Sequence, residues 1–351
     1  MIKKLFHFII VLLLLALIIG VPGYWMLQRS YTDPEVHYYY TQEDRGDESL
    51  RFVVLSDLYN YVFEGGNGVI ADLAGNTFPD AILIGGNMIT KNTEEITPLT
   101  DLVKRLVQIG PVFYSYGEQE LLYVKEHGSE GQDPLRDALE KAGAVVLNEE
   151  FTDASLYGVN LRIGGMYNNA YEMTDLNGNV KKRYEKTWEF LNAFQDTEDY
   201  KLMLSIRPES FIYADACDTW KVDLVASGNI LGGLVVVPHY GGLFGGSQGY
   251  FPQYVHGMYD KGDVKIFITS GLSAPAGRIP RFNNPPEIAV VDVDGLRRGA
   301  AEDAAAQEQE GGQVTAEETA QEPEVVQESA EEAAQAHEEV QETAQEDAAA
   351  Q

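Results

Sequence analysis

Five short polar turns carry the side chains of this sequence that could do chemistry. Each follows a short apolar run, a pattern that indicates a buried strand. The turns are SDLYN (56–60), GGNMI (85–89), YGEQE (116–120), SIRPE (205–209) and SGNILGG (227–233). Because strand ends in α/β proteins meet at one edge of a sheet, we expect these turns to converge. Their carboxylate and amide oxygens are ligands that suit Mg²⁺ or Ca²⁺.

The elements that must position these turns are apolar runs separated by amphipathic segments. Predicted strands lie at 51–56, 81–85, 111–116, 161–165, 201–206, 222–227, 234–238, 264–270 and 287–293. Helix-like segments lie near 97–109, 132–142 and 185–194. This order alternates strand and helix early and is rich in strands later. It predicts an α/β domain of two stacked sheets flanked by helices.

The order of the five turns resembles that of the calcineurin-like metallophosphoesterases, specifically the bacterial, membrane-anchored kind. The family's motifs are Asp-x-His, Gly-Asp, Gly-Asn-His-Glu/Asp, a lone His often followed by Arg-Pro, and Gly-His-x-His-Gly-Gly. The resemblance covers about residues 49–295. It implies a four-layer αββα sandwich of two mixed sheets, with two divalent metals held by the motifs.

In the first three motifs most of the metal-binding positions implied by the resemblance are changed. Asp57 matches the first aspartate, but Tyr59 stands at the position of the histidine. Asn87 replaces the bridging aspartate, and Glu118 replaces the asparagine of the third motif. Gln119 stands where the family has its catalytic histidine.

The last two motifs keep their frame and lose their ligands. Ile206 stands where the lone histidine belongs, although Arg207 and a proline follow it. Asn229 and Leu231 replace both histidines of the final motif, whose glycines remain. Six of the seven ligand positions are therefore changed, and none of the six histidines of the chain falls in a motif.

These replacements predict a cleft without catalytic residues. We expect no cofactor and no two-metal Mn, Fe or Zn centre, because an amide, an isoleucine and a leucine cannot hold two cations over a bridging water. If any metal binds, the set would be Asp57, Asn87, Glu118 and Asn229, with weakly held Mg²⁺ or Ca²⁺. Asp57 could equally cap a turn.

Other candidate residues have plainer interpretations. Tyr59, Ile206 and Leu231 are expected to fill the emptied centre. Arg207 is expected to pair with a carboxylate of the protein or, alternatively, to bind an anionic group of a ligand. His239 and His256 lie in a glycine- and aromatic-rich segment and are interpreted as hydrogen-bonded loop residues. Cys217, the only cysteine, excludes an internal disulfide and a thiolate metal cluster, and we expect it to pack in the interior.

The N-terminus predicts a single membrane span. Residues 5–27 form a run of 23 residues without formal charge, long enough to cross a bilayer. Lys3 and Lys4 favour a cytoplasmic N-terminus, and Tyr24 and Trp25 fit the far interface. We favour an uncleaved signal-anchor over a cleaved signal peptide, with the body outside the cytoplasm at the cell membrane.

The chain is strongly acidic, mainly because of its C-terminal end. Its formal net charge is -30, and residues 301–351 contain 16 Asp and Glu with no Lys or Arg. The remaining body still carries -14, so nucleic acid is not an expected partner. The Ala-, Glu- and Gln-rich composition of 299–351 predicts a disordered tail.

The expected organisation is a signal-anchor over 1–28, a stalk over 29–48, a metallophosphoesterase-like domain over 49–298 and a tail over 299–351. The favoured function is a catalytically inactive pseudophosphoesterase with a binding or regulatory role, its partner a protein or a small anionic ligand. One alternative is a phosphoester hydrolase with an unconventional oxygen-ligand metal site. The other is a structural protein that interacts through its acidic tail.

Overall fold

Strands and helices alternate in the first half of the body, and strands dominate the second. The computed structural model describes residues 2–42, 49–129, 131–275, 277 and 279–296. The predicted tail at 299–351 lies outside these residues. Strands β1 to β14 are Glu35–Tyr40, Ser49–Leu55, Ala81–Ile84, Val112–Ser115, Val145–Leu147, Glu150–Leu156, Val159–Met166, Tyr200–Ser205, Leu224–Ser227, Val236–Val237, Gly241–Gly242, Gly257–Lys261, Val264–Ile268 and Glu287–Asp294. Helices α1 to α8 are Ile2–Thr32, Gly68–Gly75, Thr97–Leu106, Glu118–His127, Pro134–Lys141, Glu185–Gln195, Glu209–Ile212 and Ala216–Thr219.

Two mixed six-stranded sheets form the centre of the described body. The first has the order β1-β14-β2-β3-β4-β5, and the second has the order β12-β13-β9-β8-β7-β6. Strand β14 runs antiparallel to β2, whereas β2, β3, β4 and β5 are parallel to one another. Strands β7, β8, β9 and β13 are likewise parallel, with antiparallel β6 and β12 at the edges. The parallel strands therefore end at a common edge of each sheet.

Three apolar clusters define the layers. One lies between the first sheet and helices α2 to α5, and includes Ile84 and Leu102. A second lies between the two sheets and includes Phe52 and Leu204. The third joins the second sheet to α6, α7 and α8. This packing is the predicted four-layer αββα sandwich of two mixed sheets, so the predicted fold class is confirmed.

Helix α1 is long and apolar enough to cross a membrane. Its candidate span is Lys3–Thr32, with a mean hydropathy of 2.9, and its apolar window is not buried against the rest of the described chain. Length and composition are compatible with a membrane anchor. A signal sequence at the N-terminus has the same properties.

The predicted stalk at 29–48 differs from the structure. Its first residues extend α1 to Thr32, and its middle forms β1, which pairs in parallel with β14. The residues of the segment EVHYYY are mostly half-buried, and buried and exposed residues do not alternate along it. The usual two-residue pattern of a strand is therefore absent from its sequence. Residues 43–48 lie outside the described part of the chain.

Most predicted strands are found within one or two residues of their expected limits, and one is largely wrong. The run LVVVP at 234–238 contributes only β10, which pairs with β11 in a small hairpin. Leu234 has φ of +61°, a conformation that does not continue a strand. The preceding strand β9 ends at Ser227, so the turn 228–233 is free to fold over the sheet edge.

Candidate functional site

The carboxyl ends of β2, β3 and β9 bring four polar side chains together. These are Asp57, Tyr59, Asn87 and Asn229, which we call the central polar cluster. The nitrogen Nδ2 of Asn87 lies 3.0 Å from Asp57 Oδ1, 3.3 Å from the Tyr59 hydroxyl and 3.3 Å from Asn229 Oδ1. Four residues separated by up to 172 positions in the chain thus meet at one point.

The orientation of the Asn87 amide follows from its neighbours. Its oxygen Oδ1 accepts a hydrogen bond from the backbone N–H of Gln119 at 3.3 Å. Its nitrogen faces the carboxylate of Asp57 and two further acceptors. The reverse orientation would set the amide oxygen against a carboxylate, so the N–H groups of Asn87 point into the centre.

The Asp57 side chain is fully buried, and its carboxyl oxygens accept several hydrogen bonds. Ser56 Oγ donates to Oδ2 at 2.6 Å, and the backbone N–H of Asn229 donates to the same oxygen at 2.8 Å. Burial raises the pKa of Asp57 above its ordinary value, while these hydrogen bonds and that of Asn87 lower it. Burial, and then the charge of Asp57, raise the pKa of Tyr59 well above its ordinary value, so its phenol is neutral.

The turns of the cluster adopt backbone conformations that glycine usually takes. Asp57, Tyr59, Asn87, Asn229 and Leu231 all have φ between +50° and +65°. Each such residue other than glycine costs on the order of 1 kcal/mol. The sharp turns that present side chains at the strand ends are therefore kept, although the side chains they present are not acids or histidines at most positions.

Glu120 fixes the third turn against the second. Its carboxylate accepts hydrogen bonds from the backbone N–H groups of Asn87, Met88 and Gly117, and from the Tyr114 hydroxyl. This arrangement caps the N-terminus of α4 and holds Asn87 in place. The role of Glu120 is therefore to connect the two turns.

The side chains of the two predicted residues of the third motif lie outside the hydrogen bonds of the cluster. Gln119 Oε1 accepts a hydrogen bond from the backbone N–H of Lys91 at 3.1 Å, so its side chain is engaged outside the cluster. Glu118 is exposed on the first turn of α4. Of the four residues predicted as weak metal ligands, Asp57, Asn87 and Asn229 are therefore brought together and Glu118 is not part of their hydrogen-bond network.

Ile206 and Leu231 are buried beside the cluster. Ile206 is fully buried, and its Cδ1 would lie 3.0 Å from a methyl group placed on Gly228. Leu231 is 7% exposed and its carbonyl accepts from Asn284 Nδ2. Hydrocarbon thus fills the side of the centre where the family pattern has histidines. Arg207 lies further out, with its guanidinium 5.4 Å from the centre of the Tyr167 ring.

The residues present do not fit the two-metal centre that the resemblance implies. Asp57 supplies the single carboxylate in the cluster, and an amide N–H group occupies the space between its possible oxygen ligands. Ile206 and Leu231 have no lone pair to offer. Two cations side by side need several anionic or imidazole ligands, which these positions do not provide.

Three residues that sequence reasoning missed support the cluster. Gly271 packs against Asp57, because a methyl group added at Gly271 would lie 2.8 Å from Asp57 Cβ. Arg281 is fully buried and donates to the backbone oxygens of Ser270 and Gly271 at 2.7 and 2.9 Å. Asn284 connects the turn 229–233 to the end of α1, because its backbone N–H binds Ser30 Oγ at 3.0 Å. An Asn-Asn-Pro-Pro run was the one visible signal for this segment.

Known proteins with a similar sequence include a metallophosphoesterase. No family model matches the chain. A Helicobacter pylori (strain J99) protein described as an uncharacterized metallophosphoesterase is 25% identical over 261 residues, which are 70% of this chain and 60% of that protein. The chain resembles the metallophosphoesterases. It spans less than two thirds of the length of this metallophosphoesterase relative.

Solved structures with a related arrangement include two proteins with enzymatic names. A 5'-nucleotidase precursor from Thermus thermophilus is 13% identical, covering 75% of this chain and 59% of its own, with a TM-score of 0.40. A dimetal phosphatase from Danio rerio is 10% identical, covering 64% and 88%, with a TM-score of 0.31.

Proposed function

We propose that this chain is a membrane-anchored, extracytoplasmic metallophosphoesterase-like protein without phosphoesterase activity, which acts by binding or regulation. The observation that carries the proposal is the direction of the Asn87 amide. Its N–H groups, rather than a carboxylate oxygen, face Asp57 and Asn229. A hydrogen-bond donor at the bridging position takes the place that a cation would need.

The residues that activate water and protonate the leaving group in a two-metal hydrolase are also replaced here. In such an enzyme, paired cations lower the pKa of a bridging water and polarise the phosphoryl group. Gln119 stands where the catalytic histidine belongs, and an amide does not titrate. Its oxygen is already bound by the backbone of Lys91. The chain therefore has neither the water activation nor the proton donor of the reaction.

A cleft beside Tyr59 supports a binding role. It has a volume of about 570 Å³, and its lining residues include Tyr31, Tyr59, Tyr61, Pro275 and Pro280. Tyr31 belongs to the last turn of α1, and its hydroxyl accepts from the backbone N–H of Arg281. A bound ligand or peptide would contact both the central polar cluster and the end of the anchor helix.

Metal titration tests the proposal directly. Full-length protein in detergent is titrated with Mn²⁺ and Mg²⁺ by calorimetry, beside the Asp57→Ala and Asp57→Asn variants. We expect the three proteins to give the same heats, since the cluster holds no cation. Binding of either ion that both Asp57 variants lose would overturn the proposal and favour the oxygen-ligand hydrolase.

The proposed topology has its own test. With the N-terminus in the cytoplasm, protease added to intact cells should digest the body down to the span. Protection of the body in intact cells, and digestion only after lysis, would overturn the extracytoplasmic orientation and leave the proposal about the centre unchanged.

A further inference from the structure

A second group of metal-binding side chains lies at the edge of the sandwich and shares no residue with the central polar cluster. It consists of His37 on β1, His256 in the loop before β12, and Glu287 at the start of β14, and we call it the edge cluster. One nitrogen of each imidazole and one carboxylate oxygen all lie within 4.8 Å of one another. We propose that the edge cluster binds one Zn²⁺ ion.

Both imidazoles lie within hydrogen-bond distance of the same carboxylate oxygen, Glu287 Oε1. His256 Nε2 lies 2.8 Å from Glu287 Oε1, and His37 Nδ1 lies 3.1 Å from it. Zn²⁺ binds imidazole nitrogen and carboxylate oxygen at about 2.0–2.2 Å in a tetrahedral arrangement, so neighbouring ligand atoms stand about 3.4 Å apart. To receive the ion, each imidazole nitrogen would therefore move about 0.3–0.6 Å away from Glu287 Oε1.

The carboxylate is fixed with one oxygen toward the imidazoles. Glu287 is fully buried, and its other oxygen accepts from Thr269 Oγ1 at 2.6 Å and from the backbone N–H of Ser270 at 2.7 Å. The Tyr39 hydroxyl donates to Oε1 at 2.6 Å and also lies 2.7 Å from His256 Nε2, so it stands beside two of the three ligand atoms. Hydrogen bonds of this kind hold a ligand in its binding orientation and stop it from rotating away.

His37 is oriented by a second carboxylate on its outer side. Its Nε2 lies 3.5 Å from Glu35 Oε2, and Glu35 also pairs with Arg29 at the end of α1. A histidine that ligates a metal usually gives its other N–H to a carboxylate, which fixes the tautomer. With the proton on Nε2 held by Glu35, the lone pair of Nδ1 faces the edge cluster.

Solvent can reach the cluster from one side. The side chains of His37 and His256 are 42% and 37% exposed, whereas Glu287 is buried beneath them. Three protein ligands with an open direction leave a fourth position for water. Two imidazoles and one carboxylate suit Zn²⁺ better than Mg²⁺ or Ca²⁺, which prefer oxygen ligands alone.

An ion bound at the edge cluster would connect the two sheets of the sandwich. Strands β1 and β14 belong to the first sheet, whereas His256 immediately precedes β12 of the second. A bound ion would join the two sheets next to the residue pair Glu35 and Arg29 at the end of α1. We therefore expect Zn²⁺ to raise the thermal stability of the protein as well as to bind.

The experiment uses full-length protein in detergent, stripped with a chelator and titrated with Zn²⁺ against a competing chromophoric chelator. Competition removes weak binding by the acidic C-terminal residues. Wild type should retain one equivalent, and its melting temperature should rise with Zn²⁺. Co²⁺ in place of Zn²⁺ should give the intense visible absorption of a tetrahedral site.

Two single variants and one control complete the design. His256→Asn and His37→Gln should each weaken Zn²⁺ binding at least about 10-fold and abolish the thermal shift. His127→Asn is the control, because His127 stacks on Tyr123 of α4 and lies outside the cluster. Absence of tight Zn²⁺ binding to wild type, or binding by the two histidine variants as tight as that of wild type, would overturn the proposal and leave a hydrogen-bonded ion-pair network.

Discussion

The side-chain nitrogen of Asn87 lies 3.0 Å from the carboxylate oxygen of Asp57. A hydrogen atom stands between the two groups at the position where the family pattern requires two carboxylates to share a cation. Asp57 is fully buried and accepts hydrogen bonds from the Ser56 hydroxyl, the Asn87 amide and the backbone N–H of Asn229. The hydrogen bond between Asn87 and Asp57 connects the turn after β2 to the turn after β3.

Asn87→Asp should destabilise the protein. The change replaces a hydrogen-bond donor by a second buried carboxylate next to Asp57, so that two like charges meet in a site of low polarity. We expect a loss of about 2 kcal/mol in the free energy of unfolding at pH 7, measured by denaturant titration. Asn160→Asp, on an exposed position of β7, is the matched control and should change it little. Equal stability of the two variants would show that Asn87 is not a necessary partner of Asp57.

Gly228→Ala should disrupt the same centre from the side of β9. A methyl group there would lie 2.5 Å from Asp57 Oδ2 and would collide with Ser56 Oγ. Overpacking of this kind costs about 1–3 kcal/mol, visible as a lower melting temperature. Gly110→Ala is the control, since its nearest neighbours would be 3.6 Å away and its backbone is not left-handed. A melting temperature unchanged in both would contradict the tight packing of turn 228–233 against Asp57.

Arg281→Lys tests the support beneath the cluster. The guanidinium donates to five backbone oxygens, those of Ser270, Gly271, Ser273, Asn284 and Pro285. Lysine has three donors at most, so buried carbonyl oxygens would remain unpaired. We expect a loss of about 3 kcal/mol in the free energy of unfolding. Arg183→Lys, an exposed replacement in the turn before α6, should be neutral, and a comparably small effect at position 281 would refute this role.

The thiol of Cys217 should react slowly and become faster with rising pH. Burial raises its pKa to about 11, and its Sγ lies 3.1 Å from the Phe211 carbonyl oxygen. Only the thiolate reacts with iodoacetamide, so alkylation at pH 8 should be about 100-fold slower than in denaturant. The protein has one cysteine, so mass spectrometry reports this site alone. Equal rates in the folded and unfolded protein would contradict the predicted packing role.

The main features of the fold follow from local sequence patterns. Apolar runs such as AILIG and KLMLS are long enough only for strands, and the glycine-rich turns after them mark the sheet edge. Strand β1 was missed because EVHYYY is polar and aromatic, and its pairing with β14 depends on a partner 250 residues away. The run LVVVP was assigned to a strand because hydrophobicity alone does not reveal the left-handed conformation at Leu234.

The location of the candidate site at one sheet edge could be predicted from the sequence, whereas the hydrogen bonds within it could not. The turn spacing located Asp57, Asn87 and Asn229 at one edge, and the structure brings them together. The direction of the Asn87 amide depends on the backbone N–H of Gln119, which no residue pattern encodes. The edge cluster was beyond local patterns altogether, because the pairing of β1 with β14 brings His37 to Glu287, whereas His256 reaches them from the loop before β12 of the second sheet.

Phosphoester turnover tests the central claim most directly. Full-length protein in detergent is assayed on model phosphomonoesters and phosphodiesters with Mn²⁺ or Mg²⁺, beside Asp57→Ala and His256→Asn. The second variant removes a ligand of the edge cluster and leaves the central polar cluster unchanged. We predict that all three proteins hydrolyse these esters at the same background rate. Turnover by wild type and His256→Asn that is lost in Asp57→Ala would contradict the account, since it would place a working hydrolytic centre at Asp57.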